Sequence, residues 1–271
     1  MSSADKICVG VNGAAGKMGR RLVALIVAGP RFALAGAYER AGHPDLGKDV
    51  GVVVGCAKTG VTLKPLDTTD RALQVLIDFS SPEGAVHCVQ TAAAACRPAV
   101  ICSTGISPDL EKKIRAAAKK IAVVYAPNMS LGMNLMVYLA ELTSKYLSAS
   151  YDVEIVEVHH RLKKDAPSGS ARALAAAVQS GRGGKLDEVY GRSGVPGERP
   201  LSEMGVLAVR GGDVVGDHTV HFLGSGERLE LTHRASTRDT FAAGALQAAE
   251  WAIRAKPGLY GMRDVLGLPT A

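Results

Sequence analysis

ICVGVNGAAGKMGRRLVALI, residues 7–26, decides how the rest of the chain is read. The apolar run 7–11 has strand composition. Gly13, Gly16 and Gly19 follow at three-residue spacing, and Met18, Leu22, Leu25 and Ile26 then fall on one helical face. Strand, glycine turn and helix in this order are the context of a dinucleotide-binding turn. Gly13, Ala14, Ala15 and Gly16 are small enough to let the backbone approach a pyrophosphate. Lys17 and Met18 open a helix whose positive end faces that charge. Ala15 stands where the strict G-x-G-x-x-G pattern has its middle glycine.

Working outward, residues 33–38 form a second strand that ends in Glu39-Arg40. Glu39 lies twenty residues after Gly19, near the offset of an acid that holds ribose hydroxyls. Arg40 suits a 2′-phosphate. Both together point to NADH or NADPH. Residues 42–60 are glycine-rich and read as a loop, with a short strand at 52–54. Strands at 74–79, 99–102 and 121–125 then alternate with helices at 82–95 and 107–120, each with a proline in its first turn. This alternation predicts an α/β fold with a Rossmann-like, doubly wound parallel sheet. Ligands of such sheets bind at the C-terminal strand ends. Here those ends are Cys102, Ser103 and Thr104, and Ala126, Pro127, Asn128 and Met129, which are expected to line a nicotinamide pocket. Residues 1–130 are thus expected to form a dinucleotide-binding domain. An Ala-rich helix at 240–255 returns to it, so that 240–271 complete it.

A long helix at 131–147 leads into a different texture. Strands dominate, at 152–159, 205–209, 214–222 and 228–233, so 131–239 read as a second, α+β domain with a mostly antiparallel or mixed sheet. Its focus is YDVEIVEVHHRLKKDAPSGSARALAAAVQ, residues 151–179. A β-branched strand and an Ala-rich helix flank a connector that holds His159, His160, Arg161, Lys163 and Lys164. Ser168 is placed to cap the helix, whose first N–H groups and dipole favour an anion. Cations beside such a helix start suit a small carboxylate substrate. Lys163 can attract an anion and donate a proton, and His159 titrates near neutrality. A hydride delivered to carbon leaves charge that such a proton quenches. His43, His87, His218, His221 and His233 read as polar positions without chemistry, the pair at 218 and 221 on a half-exposed strand.

The net charge of +6 is dispersed, and seven Tyr, four Phe and one Trp offer little to stack bases. Nucleic acid is therefore disfavoured, and an anionic cofactor with an acidic substrate accounts for the bias. Five cysteines without a C-x-x-C pair indicate reduced thiols in a cytoplasmic protein and no metal site. No apolar run is long enough to cross a bilayer, so no membrane partner is expected.

Nearly the whole chain resembles the 4-hydroxy-tetrahydrodipicolinate reductase (dihydrodipicolinate reductase) family. EVHHRLKKDAPSGSA at 157–171 is similar to that family's E-[AV]-H-H-x-x-K-x-D-A-P-S-G-T-A. GAAGKMG at 13–19, YER at 38–40, STG at 103–105, APNMSLG at 126–132 and GLYGMRDVL at 258–266 support it. The resemblance implies NADH- or NADPH-dependent reduction of a cyclic unsaturated dicarboxylate on the diaminopimelate route to lysine. It implies His159 as acid/base residue and Lys163 as a proton donor that also holds a carboxylate. His160 and the backbone at Gly169 and Ser170 would bind the substrate carboxylates. The cofactor would lie on residues 13–18, Glu39, Arg40, 102–104 and 126–129. A homotetramer built through the second-domain sheets is also implied. Cys102 stands where the family commonly has Gly, Ser170 where it has Thr, and Leu162 where a polar residue is frequent. The bulkier Cys102 is expected to crowd the cofactor amide.

Overall fold

The computed structural model describes residues 6–67, 69, 72–147 and 149–269. These divide into two units, Met1–Ser130 with Arg238–Gly267, and Leu131–Thr237 with Leu268–Ala271.

With elements numbered along the whole chain, the first unit holds strands β1 (Ile7–Asn12), β2 (Phe32–Tyr38), β3 (Leu63–Lys64), β4 (Val75–Asp78), β5 (Ala99–Ile101), β6 (Ala122–Tyr125) and β12 (Gly258–Tyr260). They form one sheet in the order β12-β6-β5-β4-β1-β2-β3, parallel throughout. Its helices are α1 (Lys17–Ala28), α2 (Val50–Val54), α3 (Pro82–Ala94), α4 (Pro108–Ala118), α7 (Asp239–Ala252) and α8 (Met262–Val265). Every residue of β4 is buried, as a strand covered on both faces requires. On one face Ala85 and Val89 of α3 and Ile114 of α4 meet Leu76, Ile101 and Val123. On the other, α7 lies across β4, β5 and β6 and beside α1. It lies close because its buried positions are small: Ala242, Gly244, Ala245, Ala248, Ala249 and Ala252, with Leu246 the exception.

Residues 52–54 are helical, where a strand was expected. The Asp49 carboxylate accepts the N–H groups of Gly51 and Val52 and also those of Thr59 and Gly60. Gly55, at φ 82°, ends the turn. The cap therefore overrides the β preference of three valines in a row. Strands β3 and β12 and helix α8 are too short to leave a periodic signal.

The second unit holds β7 (Asp152–His159), β8 (Asp187–Val189), β9 (Glu203–Arg210), β10 (Gly216–Leu223) and β11 (Arg228–Ala235), in the order β11-β10-β7-β9-β8. The sheet is mixed: β10 runs antiparallel to β7 and β11, while β9 runs parallel to β7 and β8. Helices α5 (Leu131–Tyr146) and α6 (Gly169–Arg182) cover one face, where Met133, Met136, Leu174 and Val178 pack with Val153, Ile155, Val206, Val220 and Phe222. Alternation along β7 carries Glu157 and His159 onto this same covered face. No helix among the described residues is long and apolar enough to cross a membrane.

An added Cβ at Gly244 would stand 1.8 Å from the Met129 carbonyl oxygen, a contact only backbone movement can relieve. Gly244→Ala is expected to lower stability by about 1–3 kcal/mol through this overpacking. Urea denaturation of the variant beside the parent protein measures it.

Candidate active site

In the first unit, the glycine turn joins β1 to α1 at the C-terminal edge of the sheet. Gly13 and Ala14 donate their N–H groups to the Tyr38 carbonyl, which ties the turn to the end of β2. Gly13 has φ 75°, and a Cβ there would meet Phe79 O at 2.6 Å. Gly16 caps α1 without a side chain, and no acid lies in the first turn. The first-turn N–H groups therefore face an anion unopposed.

Two hollows meet at this turn, sharing Gly16, Phe79 and Ser80. One, about 610 Å³, is lined by Gly13, Glu39, Arg40, Pro65, Leu66 and His87 among others. The other, about 570 Å³, is lined by Lys17, Met18, Cys102, Ser103, Thr104, Pro127, Asn128 and Met129. Sequence reasoning missed Phe79, Ser80, Arg238 and Phe241, which line it too. Ala14, Ala15 and Ala126 are buried and line neither hollow. They serve as backbone, as when the Ala15 N–H donates to a Glu39 carboxylate oxygen at 3.3 Å. One hollow offers an acid and a guanidinium, the other an amide and hydroxyls, with an anion-binding helix start between them. Adenosine, nicotinamide and pyrophosphate fit that sequence of groups.

Asp78 ties three strand ends together beneath the groove. Its carboxylate accepts from Asn12 Nδ2 at 2.7 Å, from Ser80 Oγ and from Ser103 Oγ. Burial pushes this carboxyl up, and the three hydrogen bonds only partly offset it. Burial, and then the nearby Asp78, hold the Cys102 thiol well above its ordinary value, so it presents a neutral wall to the hollow.

In the second unit, the end of β7 gathers the polar groups. Glu157 is fully buried. One of its oxygens accepts from His159 Nδ1 at 2.6 Å and Arg210 Nη1 at 2.7 Å; the other accepts from Arg210 Nη2 at 2.8 Å and the Ser168 N–H at 3.0 Å. Burial pushes its carboxyl up, yet the Arg210, His159 and Ser168 hydrogen bonds outweigh this and leave it below the usual range. His159 sits below the ordinary imidazole value, because burial and the Lys163 and Arg210 charges outweigh the pull of Glu157.

His160 is half-buried; its N–H donates to Val214 O and its Nδ1 has no hydrogen-bond partner among the described residues. Lys163 is pinned by its own N–H to His160 O, and its ammonium pairs with Asp165 at 2.9 Å. Ser168 caps α6, its Oγ accepting from the Ala171 N–H, so Gly169 and Ser170 form the first turn. The structure thus brings His159, His160 and Lys163 to one strand end.

His218 corrects the sequence reading. It is buried, its Nε2 lies 3.0 Å from Ser168 Oγ, and its ring stands edge-on to His159 with centroids 5.1 Å apart. His218 and His221 are three residues apart, so a strand turns them to opposite faces. His221 pairs with Glu230 on the other side. The signal was legible in β10, where His218 keeps step with Val220 and Phe222.

A parallel sheet with a dinucleotide groove at its strand ends, in one chain with a mixed sheet ending in a histidine–lysine cluster, defines a nicotinamide-dependent oxidoreductase. Comparison with known proteins is specific. The family model described as dihydrodipicolinate reductase, N-terminus, matches residues 7–129, and its C-terminus counterpart matches 132–266. The 4-hydroxy-tetrahydrodipicolinate reductase of Syntrophus aciditrophicus is 48% identical over 260 residues, 95% of this chain and 97% of that one. That of Anaeromyxobacter dehalogenans (strain 2CP-1) is 48% identical over 263 residues, with the same coverage. Among solved structures, dipicolinate-bound dihydrodipicolinate reductase from Paenisporosarcina sp. TG-14 shares the fold, with a TM-score of 0.75, 23% identity, and coverage of 96% of this chain and 99% of that one. The chain belongs to the dihydrodipicolinate reductase family.

His218 has a consequence for stability. Burial, and then the His159 charge, push it down to about 4 from 6.5. Above pH 6.5 neither folded nor unfolded His218 is charged. Between 6.5 and 4 only the unfolded chain takes up the proton, so stability falls as pH falls. Over that window the loss reaches about 3 kcal/mol. Urea denaturation from pH 7.5 to 4 is expected to show a shallower decline for His218→Gln than for the parent.

Proposed function

We propose that this chain reduces 4-hydroxy-tetrahydrodipicolinate to tetrahydrodipicolinate with NADH or NADPH, as a step toward diaminopimelate and lysine. The reading is carried by one observation: His159 shares the Glu157 carboxylate with the Ser168 N–H at the capped start of α6, and the Lys163 charge acts on the same imidazole. The cofactor, when bound, supplies hydride. Residues 13–18 cradle its phosphates, Glu39 and Arg40 meet the adenosine ribose, and Cys102, Ser103, Thr104, Pro127, Asn128 and Met129 bound the nicotinamide. Two substrate carboxylates need two cationic or N–H-rich ends. Lys163 and the Gly169 and Ser170 N–H groups serve one, and His160 the other. The Lys163–Asp165 pair would open as a carboxylate takes the place of Asp165. His159 and Lys163 then supply the proton.

The second unit, from Leu131 to Thr237, serves as the substrate-binding and oligomerisation domain, and Arg238–Gly267, rather than 240–271, complete the cofactor domain. A homotetramer is supported by Val156, Val158, Leu207 and Val209, which alternation turns to the sheet face away from α5 and α6; Val209 is 47% exposed. All five cysteines are free thiols, which supports a cytoplasmic setting.

The test is an NAD(P)H-oxidation assay with substrate freshly made from pyruvate and aspartate semialdehyde. His159→Ala and Lys163→Ala are each expected to lower kcat by about 100-fold or more. Cofactor binding, read by fluorescence titration, should stay near the parent value. Wild-type turnover in both variants would overturn the assignment. Arg40→Ala should weaken NADPH more than NADH, since only NADPH carries the 2′-phosphate; equal changes in both Kd values would remove that role.

A further inference from the structure

Strand register stacks the groups around His159 in a fixed way. On the antiparallel side His218 lies opposite Glu157, and on the parallel side Arg210 lies opposite His159. Glu157 is fully buried and meets four donated N–H groups, two from Arg210, one from Ser168 and one from His159. An ionised carboxylate accepts and cannot donate, so the hydrogen on this edge of the imidazole belongs to His159 Nδ1. The far nitrogen, Nε2, is then the one without a committed hydrogen. It lies above Gly216, where an added Cβ would come within 2.9 Å of it. The His218 edge limits the ring on a further side.

We propose that Glu157 is a positioning residue for the reduction: it holds His159 as the Nδ1–H tautomer and makes Nε2 the nitrogen that handles the proton. The inference rests on His159 being the acid/base residue. In the donating step the Nε2–H bond of the imidazolium breaks, its electron pair stays on Nε2, and the proton passes to the reduced substrate. The product imidazole keeps its hydrogen on Nδ1, toward Glu157. Arg210 keeps the carboxylate ionised throughout. The Ser168 N–H ties the start of α6 to the same carboxylate, so the proton donor and the proposed carboxylate site share one anchor. The charged or titratable groups facing His159 are Glu157 on β7, Lys163 in the connector, Arg210 on β9 and His218 on β10, with His233 of β11 acting on His218.

Glu157→Gln separates this role from simple packing. Its amide oxygen keeps the Ser168 N–H and Arg210 Nη2, which can only donate, so its NH2 takes the position facing His159 and Arg210 Nη1; of these two only the imidazole can accept, by moving its own hydrogen to Nε2. Long-range 15N–1H spectra of the full chain with labelled histidine, at pH 8, read the tautomer directly. The expected result is Nδ1–H in the parent and in Glu157→Asp, and Nε2–H in Glu157→Gln. For Glu157→Gln kcat should fall by about 100-fold or more, with the Kd for NADH unchanged. Nε2–H in the parent protein would overturn the proposal, as would an unaltered tautomer in Glu157→Gln. A kcat for Glu157→Gln within about threefold of the parent, while His159→Ala is impaired, would overturn it alone. Wild-type turnover in His159→Ala would instead remove the acid/base assignment beneath it. Should Glu157→Gln not fold, the parent and Glu157→Asp spectra still decide.

Discussion

A carboxylate with no exposed surface must be surrounded by donors, and Glu157 collects its donors from three directions. Arg210 comes from the neighbouring strand, Ser168 from the start of α6, and His159 from two residues along β7. Leaving such a charge without its partners costs about 3–5 kcal/mol. That penalty holds the strand end, the connector and the helix start in one arrangement. The same interaction that makes the buried charge tolerable also aims the imidazole.

The first unit solves a similar problem with a different residue. Asp78 ends the central β4 and gathers hydroxyl and amide donors from the ends of β1 and β5 and from its own following turn. Strand ends that would otherwise splay are drawn to one point, directly under the proposed nicotinamide hollow. Burial here raises the carboxyl, whereas at Glu157 a guanidinium overcomes burial. Both carboxylates are fully buried, and protein donors meet the oxygens of each.

Much of this could be read along the chain. The parallel sheet followed from strands and helices in alternation, with α3 and α4 each opening on proline. The glycine turn announced itself because close backbone approach admits only small residues. His159 and Lys163 stood out because cations were concentrated before a cap. The short elements were not legible, since two or three residues make no period. Residues 52–54 were misread because Asp49 reaches across to Thr59 and Gly60, a closure that local propensity does not contain.

Local chemistry and periodicity thus determined the order of elements, the fold class and the residues able to carry cofactor and proton chemistry, because backbone sterics and side-chain spacing act over a few positions. Only the tertiary structure decided which polar groups meet. Glu157 and His218 look like ordinary strand residues until register places them across from one another and two helices close over their face. Burial then turns one into an anchored anion and the other into a neutral wall, and burial is a property of the packed whole.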